Sequence, residues 1–352
     1  MKQPPSRPHH DTLKQHLRQH LPLDSRRLEV LVALIFAMIQ ARSVVLFQLV
    51  SHLQLPAQVK SRYKRLKRFV QFPLPDTCIA QVVLNLLSKG KIYLVLDRTN
   101  WKLGENDINI LLLSALWKTF AFPLCWTVFD ESGNSDQQDR FTLVSRLLPL
   151  LKDHSVSGLL ADREFIGQEW FVFLRRHHIP PFIRLKADTR VDGIPIWCCS
   201  KKLQKGESRY WHRKMRVYGI SCRVLAVRSL KGELLFLAYA GRHDQALQTY
   251  RLRWNAENLH SALKTRGFHL EESGLYFPER VSMLLGGLSL AFVWCCVCGE
   301  FQTSREPPAI LKHGYAEKSV FRLGLDTLQD ALFRPTFLTP GFLGQLLACF
   351  VP

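Results

Sequence analysis

The sequence predicts an α/β fold, a sheet-based core interrupted by a mostly β insertion and bracketed by two helical regions. Three observations predict it. Residues 1–90 carry apolar residues at helical spacing between proline-containing breaks. From Lys91 to Leu185, short β-like runs and helical runs follow in the order β-β-β-α-β-α-β. Residues 190–242 are rich in hairpin-like runs, after which helical spacing returns.

Taken in order, Leu13–Leu21, Leu28–Gln40, Val44–Leu53 and Cys78–Leu87 have helical period, with breaks near Pro22, Pro56 and Pro73–Pro75. Lys91–Leu96 is a β-like run ending in Asp97. Ile108–Leu116 and Phe122–Phe129 follow with short loops, which suggests an antiparallel meander. Gln138–Leu151 is helical, Val156–Ala161 is an apolar run ending in Asp162, Gly167–Arg176 is helical and Pro181–Leu185 is a strand. The insertion contributes Ile194–Cys199, Tyr210–Val217, Cys222–Val227 and Leu234–Ala240 as strands, and Ala246–Lys264 is read as one helix. This is the order of a ribonuclease H-like domain interrupted before its last helix. The expected divisions are a helical region at 1–90, the first part of the core at 91–189, the β insertion at 190–245, the final core helix at 246–274 and a C-terminal helical region at 275–352.

The charge narrows the partner. The 352 residues hold 48 Lys and Arg against 29 Asp and Glu, a net charge of +19. So large an excess argues against an ordinary metabolic enzyme and for a polyanion, nucleic acid or an anionic membrane face. Residues 1–90 hold 14 of the cations and only 4 acids, more than half of the surplus. Ser61–Val70 concentrates it in Arg62, Lys64, Arg65, Lys67 and Arg68, with Tyr63, Leu66 and Phe69–Val70 expected to face inward. A basic face backed by an apolar one suits a helix lying along phosphates.

Nine cysteines at irregular spacing read as reduced thiols of a cytosolic protein. Cys295 and Cys298 form a C-x-x-C inside an apolar run, where core packing is the expected role. That run, Met283–Gly299, is near the lower limit of a membrane span and is read as a buried helix.

Asp97 and Asp162 each sit directly after an apolar strand-like run, Tyr93–Leu96 and Ser157–Ala161. A carboxylate there is a poor core residue and a good ligand at the rim of a sheet. Two such acids on neighbouring strands repel unless a cation lies between them, and their hard oxygens favour Mg²⁺ or Mn²⁺. A third acid comes from Tyr250–Lys264. At about 100° per helical residue, Tyr250, Arg253, Glu257 and Lys264 fall in a stripe about 60° wide. Leu252, Ala256, Leu259 and Leu263 form the opposite, apolar face. His260, one turn after Glu257, is read as a helix histidine with its polar atoms satisfied.

The fifteen-residue pattern Y-x-x-R-x-x-x-E-x-x-x-x-x-x-K, met by Tyr250, Arg253, Glu257 and Lys264, resembles the signature of the insertion-sequence-four family of bacterial DDE transposases. Leu96–Trp101 resembles that family's first-aspartate motif and Leu160–Ile166 its second. Ser61–Phe69 resembles its N-terminal basic segment, and the stretch from Lys312-His-Gly to Leu325 its C-terminal one. The resemblance implies a ribonuclease H-like core with a β insertion between the second Asp and the Glu. Ninety-five positions separate Asp162 from Glu257, room enough for it.

It further implies catalysis by Asp97, Asp162 and Glu257 holding two Mg²⁺ ions per active site, with Mn²⁺ able to substitute. Asp97 would bridge both ions. Arg253, Lys264 and Tyr250 would hold DNA phosphates. The implied reaction is cut-and-paste transposition, comprising nicking at the element end, hairpin formation and opening, and strand transfer. The substrate is double-stranded DNA, as element ends and as target, handled by a synapsed homodimer in the bacterial cytoplasm at the nucleoid, with no membrane. Trp197, Trp211 and Trp254 are candidates to stack on a flipped base, with burial in a β core as the competing reading for the first two. The alternatives are a metal-dependent nuclease that does not join strands and a catalytically inactive DNA-binding inhibitor of transposition.

Overall fold

The computed structural model describes residues 8–333 except 132, 134 and 313. The start of the N-terminal region and the end of the C-terminal region, with Cys349, lie outside the described residues.

Five helices come first: α1 (Pro8–Arg18), α2 (Ser25–Ala41), α3 (Leu46–His52), α4 (Val59–Phe69) and α5 (Asp76–Leu86). Asp24 caps α2 by accepting from the amides of Arg26 and Arg27. From Leu28 to Gln40, α2 is buried at every position except Glu29. A helix so nearly apolar all round is a core helix, and α1, α3, α4, α10 and α11 (defined below) all pack on it.

The sheet then forms from β1 (Gly90–Leu103), β2 (Asn106–Trp117) and β3 (Phe120–Phe129), an antiparallel meander. The helix α6 (Gln137–Leu147) leads to β4 (His154–Ala161), which pairs parallel to β1. The helix α7 (Gln168–Arg176) leads to β5 (Pro181–Leu185), parallel to β4. The insertion supplies β6 (Arg190–Val191), β7 (Ile194–Pro195), β8 (Ser208–Tyr210), β9 (Met215–Val217), β10 (Ile220–Arg228) and β11 (Leu234–Tyr239). The result is one mixed sheet in the order β3-β2-β1-β4-β5-β11-β10-β9-β6-β7, with β8 on β10. Because β11 pairs with β5, the insertion prolongs the core sheet.

The chain closes with α8 (His243–Arg251), α9 (Trp254–Ser261), α10 (Pro278–Arg305) and α11 (Val320–Phe333). By length and hydropathy α10 could cross a membrane, but 89% of its most apolar window is buried against protein. It packs on α2, α5, β3 and α11, with Cys295, Cys296 and Cys298 buried along it. The crossing with α11 is backbone to backbone. A Cβ on Gly324 would stand 1.8 Å from the Cys295 carbonyl oxygen, so only glycine fits.

Several elements differ from expectation. The first strand does not end before Asp97 but continues to Leu103, because Arg98–Leu103 pair with Asn106–Leu111 in a hairpin turned at Gly104, φ +62°. Polar residues on the open face hid that continuation. Ile194–Cys199 keeps only two strand residues before a 3₁₀ turn, Ile196–Ser200. Tyr210–Val217 splits into the last residue of β8 and the whole of β9. The expected single helix over Ala246–Lys264 is three pieces: α8, α9 and a π-helical turn, Ala262–Arg266. The break at Leu252–Arg253 takes Leu252 off any apolar face and leaves it 37% exposed.

Candidate active site

Strand register brings the two aspartates together. Leu96 pairs with Ala161 across the parallel β1–β4 ladder, so Asp97 and Asp162 follow at the same level on neighbouring strands. Side chains two apart on a strand share a face. Val95, Leu160 and Phe182 belong to a small buried cluster with Tyr250 and Ala256, on the face that α8 and α9 cover. Asp97, Asp162 and Arg184 stand two residues beyond those three. The same pleat therefore aims one carboxylate from each of two strands, and a guanidinium from the third, past the edge of that cluster.

Arg253, at the break between α8 and α9, joins the acids. One guanidinium nitrogen donates to Asp97 Oδ2 at 3.4 Å and the other to Glu257 Oε1 at 2.6 Å. Glu257 is one turn along from Arg253, and Arg184 pairs with Asp162 Oδ1 at 3.7 Å. Arg253 and Asp97 are only 15% and 14% exposed. Burial pushes the Asp97 carboxyl up to about 6, with Arg253 pulling it down and Glu164 and Glu257 adding repulsion. A rise of that size corresponds to a preference for the proton on the order of 3 kcal/mol. Arg253 thus offsets only part of what burial costs the ionised Asp97.

Tyr250 is buried beside Arg253, Arg184 and Asp162, and burial raises its phenol to about 12. Lys264 arrives by another route. Its Nζ donates to the Asn100 carbonyl at 3.0 Å, pairs with Glu271 at 2.6 Å and lies 5.7 Å from the Trp101 ring centre. The polar stripe therefore forms through a bent connection, with Lys264 placed by the π-helical turn. His260 is not satisfied as expected. Its Nδ1 is 3.9 Å from Asp97, and its buried Nε2 has no hydrogen-bond partner among the described residues. Burial, then Lys264 and Arg253, lower its pKa to about 4, so it is neutral near pH 7.

Two arginines brace the chain around the aspartates. Arg98 donates Nε and Nη2 to the two oxygens of Glu164, at 3.3 and 3.1 Å, linking the residues after the two aspartates. The buried Arg140 donates to the Ser135 and Ile166 carbonyls and stands over the Phe165 ring.

Beside the acids, Arg184, Arg228, Lys231, Arg251 and Arg253 line a groove of about 920 Å³ with Tyr250, Leu230 and Trp254. Trp254 is 60% exposed at its edge. Trp197 is 43% exposed under Lys201, 4.6 Å from its ring centre, and Trp211 packs half-buried against the core. Only Trp254 among the three lines this groove.

The basic segment is α4, with Leu66 and Phe69 buried. Lys64, Arg65, Lys67 and Arg68 are exposed, and none of the five cations has an acid partner among the described residues. Arg62 is half-buried and donates to the Ala57 carbonyl at 2.7 Å. Tyr63, expected inside, is half-buried.

Sequence reasoning missed Arg184 and the bridging position of Arg253. Arg184 was findable in principle, since β5 aligned in parallel with β4 sets it opposite Asp162. The contact of Arg253 with Asp97 needed the break after Arg251, which no spacing announced.

In kind, the donors suit a hard divalent cation: carboxylates from β1, the end of β4 and a helix, one of them largely buried. Among the described residues, no three His, Cys, Asp or Glu side chains are drawn together as a metal cage. Arg253 stands between Asp97 and Glu257 as their counter-charge. Acids presented in this way by a mixed α/β sheet fit the class of DDE transposases. The family model for the transposase DDE domain matches residues 89–294, more than half of the chain, and the chain belongs to that family. The matched stretch contains Asp97, Asp162 and Glu257. No curated protein matches the chain closely enough to count as a relative.

Proposed function

We propose that this transposase is of the insertion-sequence-four type, cutting and joining double-stranded DNA at one centre built on a ribonuclease H-like core. The observation that carries the reading is the register of Asp97 beside Asp162, with Arg253 linking Asp97 to Glu257. Asp97, Asp162 and Glu257 would hold two divalent cations, Mg²⁺ or Mn²⁺. What those cations supply when bound is activation of the attacking oxygen and neutralisation of charge on the phosphate.

The chain's own groups do the rest. An incoming phosphate would compete with Asp97 and Glu257 for the Arg253 guanidinium. Arg184 and Tyr250 offer a donor pair beside Asp162 for the same phosphate, and Lys264 fixes β1 next to Asp97. Positioning and charge stabilisation carry the chemistry, since no side chain needs to become covalently attached. Trp254 stacks on an unpaired base at the groove. The exposed cations of α4 grip the duplex. The reaction is cut-and-paste transposition through a hairpin, carried out by a homodimer synapsed on two ends, in the cytoplasm and off the membrane.

The test is strand transfer. Pre-cleaved duplex ends with free 3′-hydroxyls, incubated with protein, Mg²⁺ and a supercoiled plasmid, should be joined to the plasmid. Nicking of intact ends without joining would reduce the activity to that of a nuclease. Binding with neither would leave an inactive DNA-binding protein.

A further inference from the structure

A second basic cleft lies away from the acids. Arg175, His178, Lys214 and Arg223 line a space of about 460 Å³, and no carboxylate lines it among the described residues. Arg175 and Lys214 are exposed, and neither has an ion pair among the described residues. The floor is rigid: Tyr239 and Cys222 are buried strand residues, and Pro180–Pro181 fix the chain entering β5.

Register gives its position. Tyr239 pairs with Phe182 and with Arg223 at one end of the β5–β11–β10 ladder. Leu185 with Phe236, and Arg228 with Leu234, mark the other end. Ala161 pairs with Ile183, so β4 delivers Asp162 toward the Leu185 end, where the groove of Arg184, Arg228 and Arg253 also opens. The second cleft opens at the opposite end, roughly 10 Å away along the strands at about 3.3 Å per residue.

A cation-lined space with a fixed floor and no acid is suited to the phosphates of a nucleic-acid backbone. The reaction proposed above brings two duplex segments together, and the acids can engage only one scissile phosphate at a time. We propose that the Arg175–Lys214–Arg223 cleft holds the backbone of a second duplex segment, the one this catalytic centre is not cutting. This inference rests on the transposase reading.

The experiment measures capture and cleavage separately with the full chain. Protein is bound to a bead-immobilised end duplex, a labelled second duplex is added, and nicking of the first duplex is followed in Mg²⁺. In Arg175→Glu/Lys214→Glu, capture should fall at least about tenfold while nicking stays within about twofold. The salt slope of capture should be shallower by about 2, in keeping with two lost phosphate contacts. Arg175→Lys/Lys214→Arg should capture like wild type, and an unchanged melting temperature should exclude misfolding. Gel assays then separate the sources: plasmid joining should fall with capture while end pairing stays intact, which assigns the second segment to the target duplex, and loss of end pairing would contradict it. Unchanged capture, or nicking that falls in step with capture, overturns the inference. If wild type captures a second duplex but never nicks the first, the catalytic reading fails and the cleft stands.

Discussion

Helix α4 and the Arg253–Glu257 turn both carry concentrated charge, and the protein embeds the two differently. Four α4 cations, Lys64, Arg65, Lys67 and Arg68, project from a helix anchored by Leu66 and Phe69, and they have no acid partners among the described residues. Around the acids, charges are paired: Arg253 with Asp97 and Glu257, Arg184 with Asp162, Arg98 with Glu164. Exposed, unpaired cations attract a polyanion at long range and in rough proportion to their number. Half-buried, paired charges have their directions fixed and lose the whole arrangement when one is removed. As proposed above, the first arrangement suits gripping a duplex and the second suits placing one phosphate.

The largest effect that would break this comparison concerns the acids. Asp97→Ala or Glu257→Ala should lower nicking at least about 1,000-fold while duplex affinity changes less than about threefold. Cleavage near the wild-type rate in either variant would remove that acid from the centre. Next comes the grip. Arg65→Glu/Arg68→Glu should weaken duplex binding about 10- to 100-fold at 0.1 M salt and flatten the salt dependence. Nicking of DNA already saturating the protein should be nearly unchanged. Smallest is Trp254→Ala, which should leave duplex binding and the first nick within about twofold. It should slow hairpin formation about tenfold, in line with the loss of one stacking contact. An unaltered hairpin rate in that variant would leave Trp254 as surface.

Much of this was legible in the sequence, for physical reasons. The alternation of apolar runs in the core follows the two periodicities that burial imposes, and Asp97 and Asp162, each unremarkable alone after its apolar run, stood out only together with the Tyr250–Lys264 pattern. The buried length of α2 and α10 was likewise written in their composition. What the sequence hid depends on backbone irregularity. The continuation of β1 beyond Asp97 is a half-exposed strand whose polar face reads as a loop. The break at Leu252–Arg253 and the π-helical turn under Lys264 are local departures from the helical period, set by tertiary packing. They decide that Arg253 reaches Asp97 and that Lys264 reaches Asn100. Arg184 needed the β4–β5 register, which only the folded sheet provides.

The central claim is that three carboxylates, presently shared with arginines, form one cation-binding centre when DNA supplies a phosphate. Calorimetric titration of Mn²⁺ into the full chain saturated with an uncleavable end duplex tests it most directly. Wild type should show saturable binding of about two ions per chain, lost or weakened at least tenfold in both Asp97→Asn and Glu257→Gln. Indistinguishable isotherms for wild type and both variants would contradict it.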